Sequence, residues 1–188
     1  GIDRVMDILL SQGVVAELGE RLESADADVV DASGLIVSPG LIDLHVHLRE
    51  PGREHKETIA TGAASAAAGG FTTVVAMPNT QPVIDNPAAV GFVLAEGRRC
   101  GLARVFPSGA ITVGSKGDQL SEIGEMVAAG AVTITDDGRP VGRAGVMRQA
   151  LEYALTFDIP VSVHAEEVEL SRGGVMHEGI ISSRLGLS

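Results

Sequence analysis

Along this chain the rhythm of apolar positions changes near residue 41. Before that point, short alternating or β-branched runs at 7–10, 14–18, 29–31 and 35–37 predict small strands of a β-rich N-terminal segment, residues 1–40. Beyond it, apolar runs at 41–48, 72–77, 103–107, 132–135 and 161–164 predict strands, and stretches at 56–68, 87–99, 118–129 and 145–157 predict helices between them. The punctuation agrees with this division. Gly69-Gly70 stops the first helix, and Asn86 followed by Pro87 supplies an N-cap and a first helical residue. Gly130 closes the third helix, and Asp158-Ile159-Pro160 leads from the fourth to the last strand.

Strand, helix, strand at this spacing is a series of βαβ units, which implies a parallel sheet with right-handed crossovers. Polar groups follow each predicted strand: His45, His47 and Arg49, then Asn79, then Ser108, then Asp136 and Asp137, then His164 with Glu166 and Glu167. Such groups at the C-terminal ends of consecutive parallel strands are the pattern of a (β/α)₈ barrel site. The expected fold is therefore α/β: a partial barrel of about five βα units over 41–188, truncated relative to eight, preceded by part of a small β-sandwich. An open doubly wound sheet also binds ligands at strand ends. It gives no reason for His-x-His on the first strand, and neither G-x-G-x-x-G nor a P-loop is present.

Composition narrows the choice of partner. The 188 residues are 45% apolar but only 3% aromatic, so a globular core must be built from Ala, Val, Ile and Leu. The net charge of −11 argues against nucleic acid and anionic membranes as partners but does not identify a substrate. The single Cys100 makes no internal disulfide, which fits a reducing cytoplasm. No apolar stretch is long enough to span a bilayer, and no basic region followed by an apolar core marks a signal peptide. Gly1 is not a methionine, and a start inside a longer protein is an expectation consistent with that.

Asp43-Leu44-His45-Val46-His47 carries the candidate chemistry. Histidines at i and i+2 of a strand share one face, so both imidazoles can reach one ion. With Asp137 and His164 they form a set of three nitrogen ligands and a carboxylate, which suits one or two zinc ions, with iron, manganese or cobalt as alternatives. Asp137 could bridge two metals, His45 and His47 holding one and His164 the other, and water held there loses a proton near neutral pH. The competing reading makes Asp136-Asp137-Gly138 a turn and His164 a satisfied structural histidine. His55, His177, Glu166 and Glu167 are expected at the surface or in loops.

The motifs in combination resemble the dihydroorotase family, in its long bacterial type within the amidohydrolase superfamily. The resemblance lies in His47-Leu48-Arg49-Glu50-Pro51-Gly52 with Lys56-Glu57-Thr58, in the run from Ala68-Gly69-Gly70-Phe71-Thr72-Thr73 through Met77-Pro78-Asn79-Thr80, and in Thr135-Asp136-Asp137-Gly138. His164-Ala165-Glu166 and Met176-His177-Glu178-Gly179 extend it to the end of the chain. It implies reversible, zinc-dependent cyclisation of N-carbamoyl-L-aspartate to L-dihydroorotate in pyrimidine biosynthesis. It also implies His45 and His47 on a first zinc, His164 on a second, and Asp137 rather than Asp136 as the bridging carboxylate and catalytic residue. Residues 131–137 contain no lysine, so no carboxylated lysine is expected. Arg49 and Asn79 would hold the substrate carboxylate, as a guanidinium fork and an amide can.

The family's further metal-binding histidine, on a sixth strand, and its general acid/base aspartate, on an eighth, have no counterpart in these 188 residues. No useful turnover is therefore expected of this stretch alone. The alternatives are another cyclic amidohydrolase, such as a hydantoinase or allantoinase, and a non-catalytic partner of aspartate transcarbamoylase. Arg49 argues against the first and the intact ligand set against the second. A homodimer or a complex with the transcarbamoylase is implied by family analogy only.

Overall fold

The computed structural model describes residues 3–188 and divides into two compact units, one up to Ser38 and one from Pro39 to Ser188. In the first unit, β1 (Asp7–Ser11) and β2 (Val14–Gly19) form an antiparallel hairpin with Ser11 opposite Val14. Gln12 and Gly13 make the two-residue turn, both at positive φ (51° and 77°), the geometry that matches strand twist and favours glycine. The strands expected at 29–31 and 35–37 are absent from the described residues. Instead Asp31 accepts a hydrogen bond from the Ser33 amide (2.9 Å), and Leu35 donates to the Ala32 carbonyl (3.0 Å). β-branched residues alone do not make a strand where local turn bonds take up the backbone and no neighbour offers a ladder.

The second unit is built on four parallel strands in the order β3 (Leu41–Val46), β4 (Phe71–Ala76), β5 (Arg104–Gly109), β6 (Thr133–Ile134). The order follows the sequence, as it must in a singly wound barrel. Pairs Asp43–Val74, Val74–Val105 and Ser108–Thr133 set the register. The strand expected at 161–164 shrinks to one bridge, Ile134 to Val161. Its backbone is tied to β6 by Ile134 N–H to the Pro160 carbonyl (3.2 Å) and Ser162 N–H to the Ile134 carbonyl (2.9 Å), and the Thr133 hydroxyl also donates to the Pro160 carbonyl (3.0 Å).

Helix α1 (Ile59–Ala68) starts three residues later than expected, because Thr58 caps it by accepting from the Thr61 amide while the Thr61 hydroxyl accepts from Thr58 N–H. Helix α2 (Pro87–Cys100) begins as expected, with Asn86 accepting from the Ala89 amide. Helix α3 (Ile123–Ala129) loses its expected first turn to a loop in which Ser121 donates its hydroxyl to the Ala110 carbonyl (2.6 Å). After α4 (Ala144–Leu155) come two short helices, α5 (Val168–Ser171) and α6 (Ile180–Leu185), that the apolar pattern did not indicate.

Alternation along the strands separates two faces. Val74 and Ala76 of β4, Val105 of β5 and Ile134 of β6 join Ile59, Ala63, Val90, Val93, Ile123 and Met126 in the core between sheet and helices. Each such Val, Ile or Met side chain contributes about 1.5–3 kcal/mol by leaving water. Packing is tight enough that a Cβ on Gly97 of α2 would lie 2.8 Å from Val105 Cβ. Residues offset by one, Thr73, Val75, Thr133 and Thr135, are left for the opposite face.

Candidate metal centre

β3 puts Val46 and Leu48 toward the helices, so His45 and His47 turn to the other face. Their rings stand edge to face, centroids 5.2 Å apart. Both meet Asp137, which follows β6: His45 Nε2 is 3.2 Å from Oδ1 and His47 Nε2 is 3.6 Å from Oδ2. In a flat sheet β3 and β6 would stand three strand spacings apart, about 14 Å. Contact between their side chains therefore requires the sheet to curl toward this face, as a barrel wall does.

The three ligand atoms all lie within 4.8 Å of one another. Tetrahedral zinc with bonds near 2.0 Å places its ligand atoms about 3.3 Å apart, close to the 3.2 Å between His45 Nε2 and Asp137 Oδ1. Two imidazoles and one carboxylate also leave room for a further ligand, as a catalytic site requires. The donor set fits a divalent metal.

The adjacent aspartates go separate ways. Asp136 is almost fully buried (2% exposed) and turns from the histidines to Thr112, whose amide donates to Oδ1 (3.0 Å) and whose hydroxyl donates to Oδ2. Burial pushes the Asp136 carboxyl above its ordinary range, opposed by the hydrogen bonds from Thr112. Asp137 alone faces His45 and His47.

Asn79 stands between the two sides of the site. Its Nδ2 donates to Asp137 Oδ2 (3.0 Å), and its Oδ1 lies 3.0 Å from His47 Nδ1. The loops that follow β3 and β4 are fastened together, Gln81 N–H donating to the Pro51 carbonyl (2.9 Å). Gly52 sits so close to Gln81 that a Cβ there would fall 1.7 Å from its carbonyl oxygen, and its φ of +88° also favours glycine. Glu50 reaches across to accept from the Ile59 amide (2.8 Å) at the start of α1. Neither Glu50 nor Thr112 was singled out from the sequence. An acid shortly before a helix is a readable signal for Glu50, whereas nothing in sequence links Thr112 to Asp136.

Other expected site residues are placed differently. Arg49 is half-buried at a left-handed backbone position (φ +59°), at the mouth of the loop after β3. Ser108 is wholly buried and donates to the Thr133 carbonyl (3.3 Å), a bond within the sheet. His164 is not brought into the His45–His47–Asp137 group. Its Nε2 pairs with Glu166 Oε2 at 3.0 Å. The Ser171 hydroxyl first, and His164 second, hold the Glu166 carboxyl below its ordinary range. His55, His177 and Glu167 are exposed.

A sequentially ordered parallel sheet, with two histidines and a carboxylate converging at its C-terminal edge, defines an amidohydrolase-type barrel architecture. The solved L-hydantoinase (dihydropyrimidinase) from Arthrobacter aurescens has the same fold over 86% of this chain and 37% of its own, with a TM-score of 0.68 and 25% identity. Residues 34–188 match the family described as dihydro-orotase-like, and the chain belongs to that family. It is 56% identical over all 188 residues to a dihydroorotase of Geobacter sulfurreducens and 51% identical over 187 to one of Ruminiclostridium cellulolyticum. In both cases it spans 44% of the relative's length. No described helix is long and apolar enough to cross a membrane.

Proposed function

We propose that the protein containing these residues is a dihydroorotase, catalysing the reversible cyclisation of N-carbamoyl-L-aspartate to L-dihydroorotate. The observation that carries this reading is the meeting of His45 and His47 with Asp137 in a chain 56% identical throughout to a protein of that name. Zinc held by His45, His47 and Asp137 would supply a Lewis acid for the ring carbonyl and a water nucleophile at neutral pH. His164 is assigned to a second ion, which requires its ring to leave Glu166.

The chain's own residues bind and orient. Arg49 offers a guanidinium to the substrate carboxylate. Asn79 keeps one N–H of its amide free after donating to Asp137, so it can serve the same carboxylate without giving up that bond. Ring opening also needs a proton donor for the leaving nitrogen, which this reading assigns to a carboxylate outside these 188 residues. A cytoplasmic location accords with the single cysteine, and a homodimer or a complex with aspartate transcarbamoylase accords with the family.

The test is a side-by-side assay of the intact, zinc-loaded protein on L-dihydroorotate and on hydantoin. Opening of dihydroorotate with little action on hydantoin is expected. The opposite preference would replace this reading with a hydantoinase.

A further inference from the structure

We propose that Asn79 is a positioning residue that sets the tautomer of His47 and tethers that ring to Asp137. The argument begins with the carboxylate. Asp137 Oδ2 is an acceptor, so the Asn79 atom 3.0 Å from it must be the NH₂ group. The carbonyl oxygen of Asn79 then faces His47 Nδ1 at 3.0 Å, and two acceptors cannot share that contact. His47 Nδ1 must therefore carry the proton and donate. In the neutral ring its Nε2 is then left with the lone pair, on the side that faces Asp137.

This is the tautomer that a free histidine side chain populates less, so the protein has to select it. Asn79 is well built to do so. It lies in a loop pinned by Thr80, which donates its hydroxyl to the Pro82 carbonyl (2.7 Å), by Ile84 N–H to the Pro78 carbonyl (3.1 Å), and by the Gln81–Pro51 bond. One planar amide thus fixes the imidazole just after β3 and the carboxylate after β6 relative to each other. The arrangement is that of an outer partner orienting a metal ligand, with an amide in the usual place of a carboxylate or carbonyl. The purpose assigned to it rests on the metal-centre reading above; the tautomer does not.

The test uses the intact protein, labelled with ¹⁵N and stripped of metal, and records long-range ¹H–¹⁵N correlations of its histidine rings. His47 is identified by the signals lost in His47→Gln. The wild type should show Nδ1–H at His47. Asn79→Ala, which removes the accepting oxygen, should move it toward the Nε2–H form. Zn²⁺ affinity, measured by competition with a chromophoric chelator, should fall about 10–100-fold in Asn79→Ala. A wild-type ring in the Nε2–H form overturns the proposal. So does a tautomer indifferent to Asn79→Ala in a protein that still binds Zn²⁺, an outcome that leaves the metal reading intact. A tautomer that follows Asn79 in a protein that takes up no Zn²⁺ sustains the proposal and removes the metal reading instead.

Discussion

Asp136 and Thr112 are joined twice, amide to Oδ1 and hydroxyl to Oδ2, across 24 residues of sequence and in the buried interior. The pair pins the loop after β5 to the end of β6 and leaves Asp137 to the histidines. Removing the hydroxyl with Thr112→Val leaves one carboxylate oxygen buried without that partner. The expected cost is about 1–3 kcal/mol of stability, read as a lower urea midpoint at neutral pH.

The same carboxyl gives a pH dependence of known sign. Burial raises its folded pKa above the unfolded value, so the fold holds this proton more tightly than the unfolded chain does. Its contribution to stability is fully present below the unfolded pKa and is lost as pH rises through the folded one. Asp136→Asn keeps the shape and has no proton to lose. Thermal midpoints of wild type and variant should therefore diverge on going upward from the ordinary aspartate range, with the wild type falling relative to Asp136→Asn. Parallel curves would rule out this origin.

Gly52→Ala should separate the two loops that carry Arg49 and Asn79. The new Cβ would lie 1.7 Å from the Gln81 carbonyl oxygen, at a φ of +88°. Overpacking of this kind costs roughly 1–3 kcal/mol before the backbone strain is added. A lower thermal midpoint together with weaker Zn²⁺ binding is expected. Loss of stability with unchanged metal affinity would mean that the loop contact does not support the site.

Histidine substitutions separate the two proposed ions. His45→Ala and His47→Ala each remove a ligand from the group around Asp137 and should weaken the first ion beyond the 10–100-fold typical of outer partners. His164→Ala should spare that ion and remove only a second one. Elemental analysis after gel filtration gives the count per chain. An unchanged metal content in His164→Ala would release His164 to its pairing with Glu166.

In the core, Met126 is wholly buried, and its side chain fills the space in which a Cβ on Gly109 would sit 2.8 Å from both its Sδ and Cε. Met126→Ala leaves a cavity against the sheet and should cost about 2–5 kcal/mol. Urea unfolding of the intact protein reports it directly.

Much of this was readable from local pattern. The first four strands from 41 onward, the Asn86 cap of α2 and the shared face of His45 and His47 follow from period, cap chemistry and pleat alone. The failures have non-local causes. Residues 29–31 and 35–37 have strand-like composition but no ladder, and 161–164 have the run of a buried strand but only one bridge. The start of α3 gives way to a bond from Ser121 to the strand end at Ala110. Asp136 and Asp137 are alike in sequence, and a threonine 24 positions upstream gives them different surroundings. The second carboxylate's imidazoles come from almost a hundred residues away, and no short window contains both.

His45 and Asp137 stand at opposite ends of a four-strand order, yet touch. An ion held between them would act like the string of a bow: it binds only when the sheet is bent, and once bound it resists flattening. By mass action, metal would then stabilise the curved form of the wall by RT ln(1 + [M]/Kd), about 2.7 kcal/mol at a hundredfold excess over Kd. The relation runs both ways, so packing changes in the helices behind the sheet, far from any ligand, should register as altered metal affinity. Metal titration is in that sense a measurement of sheet curvature.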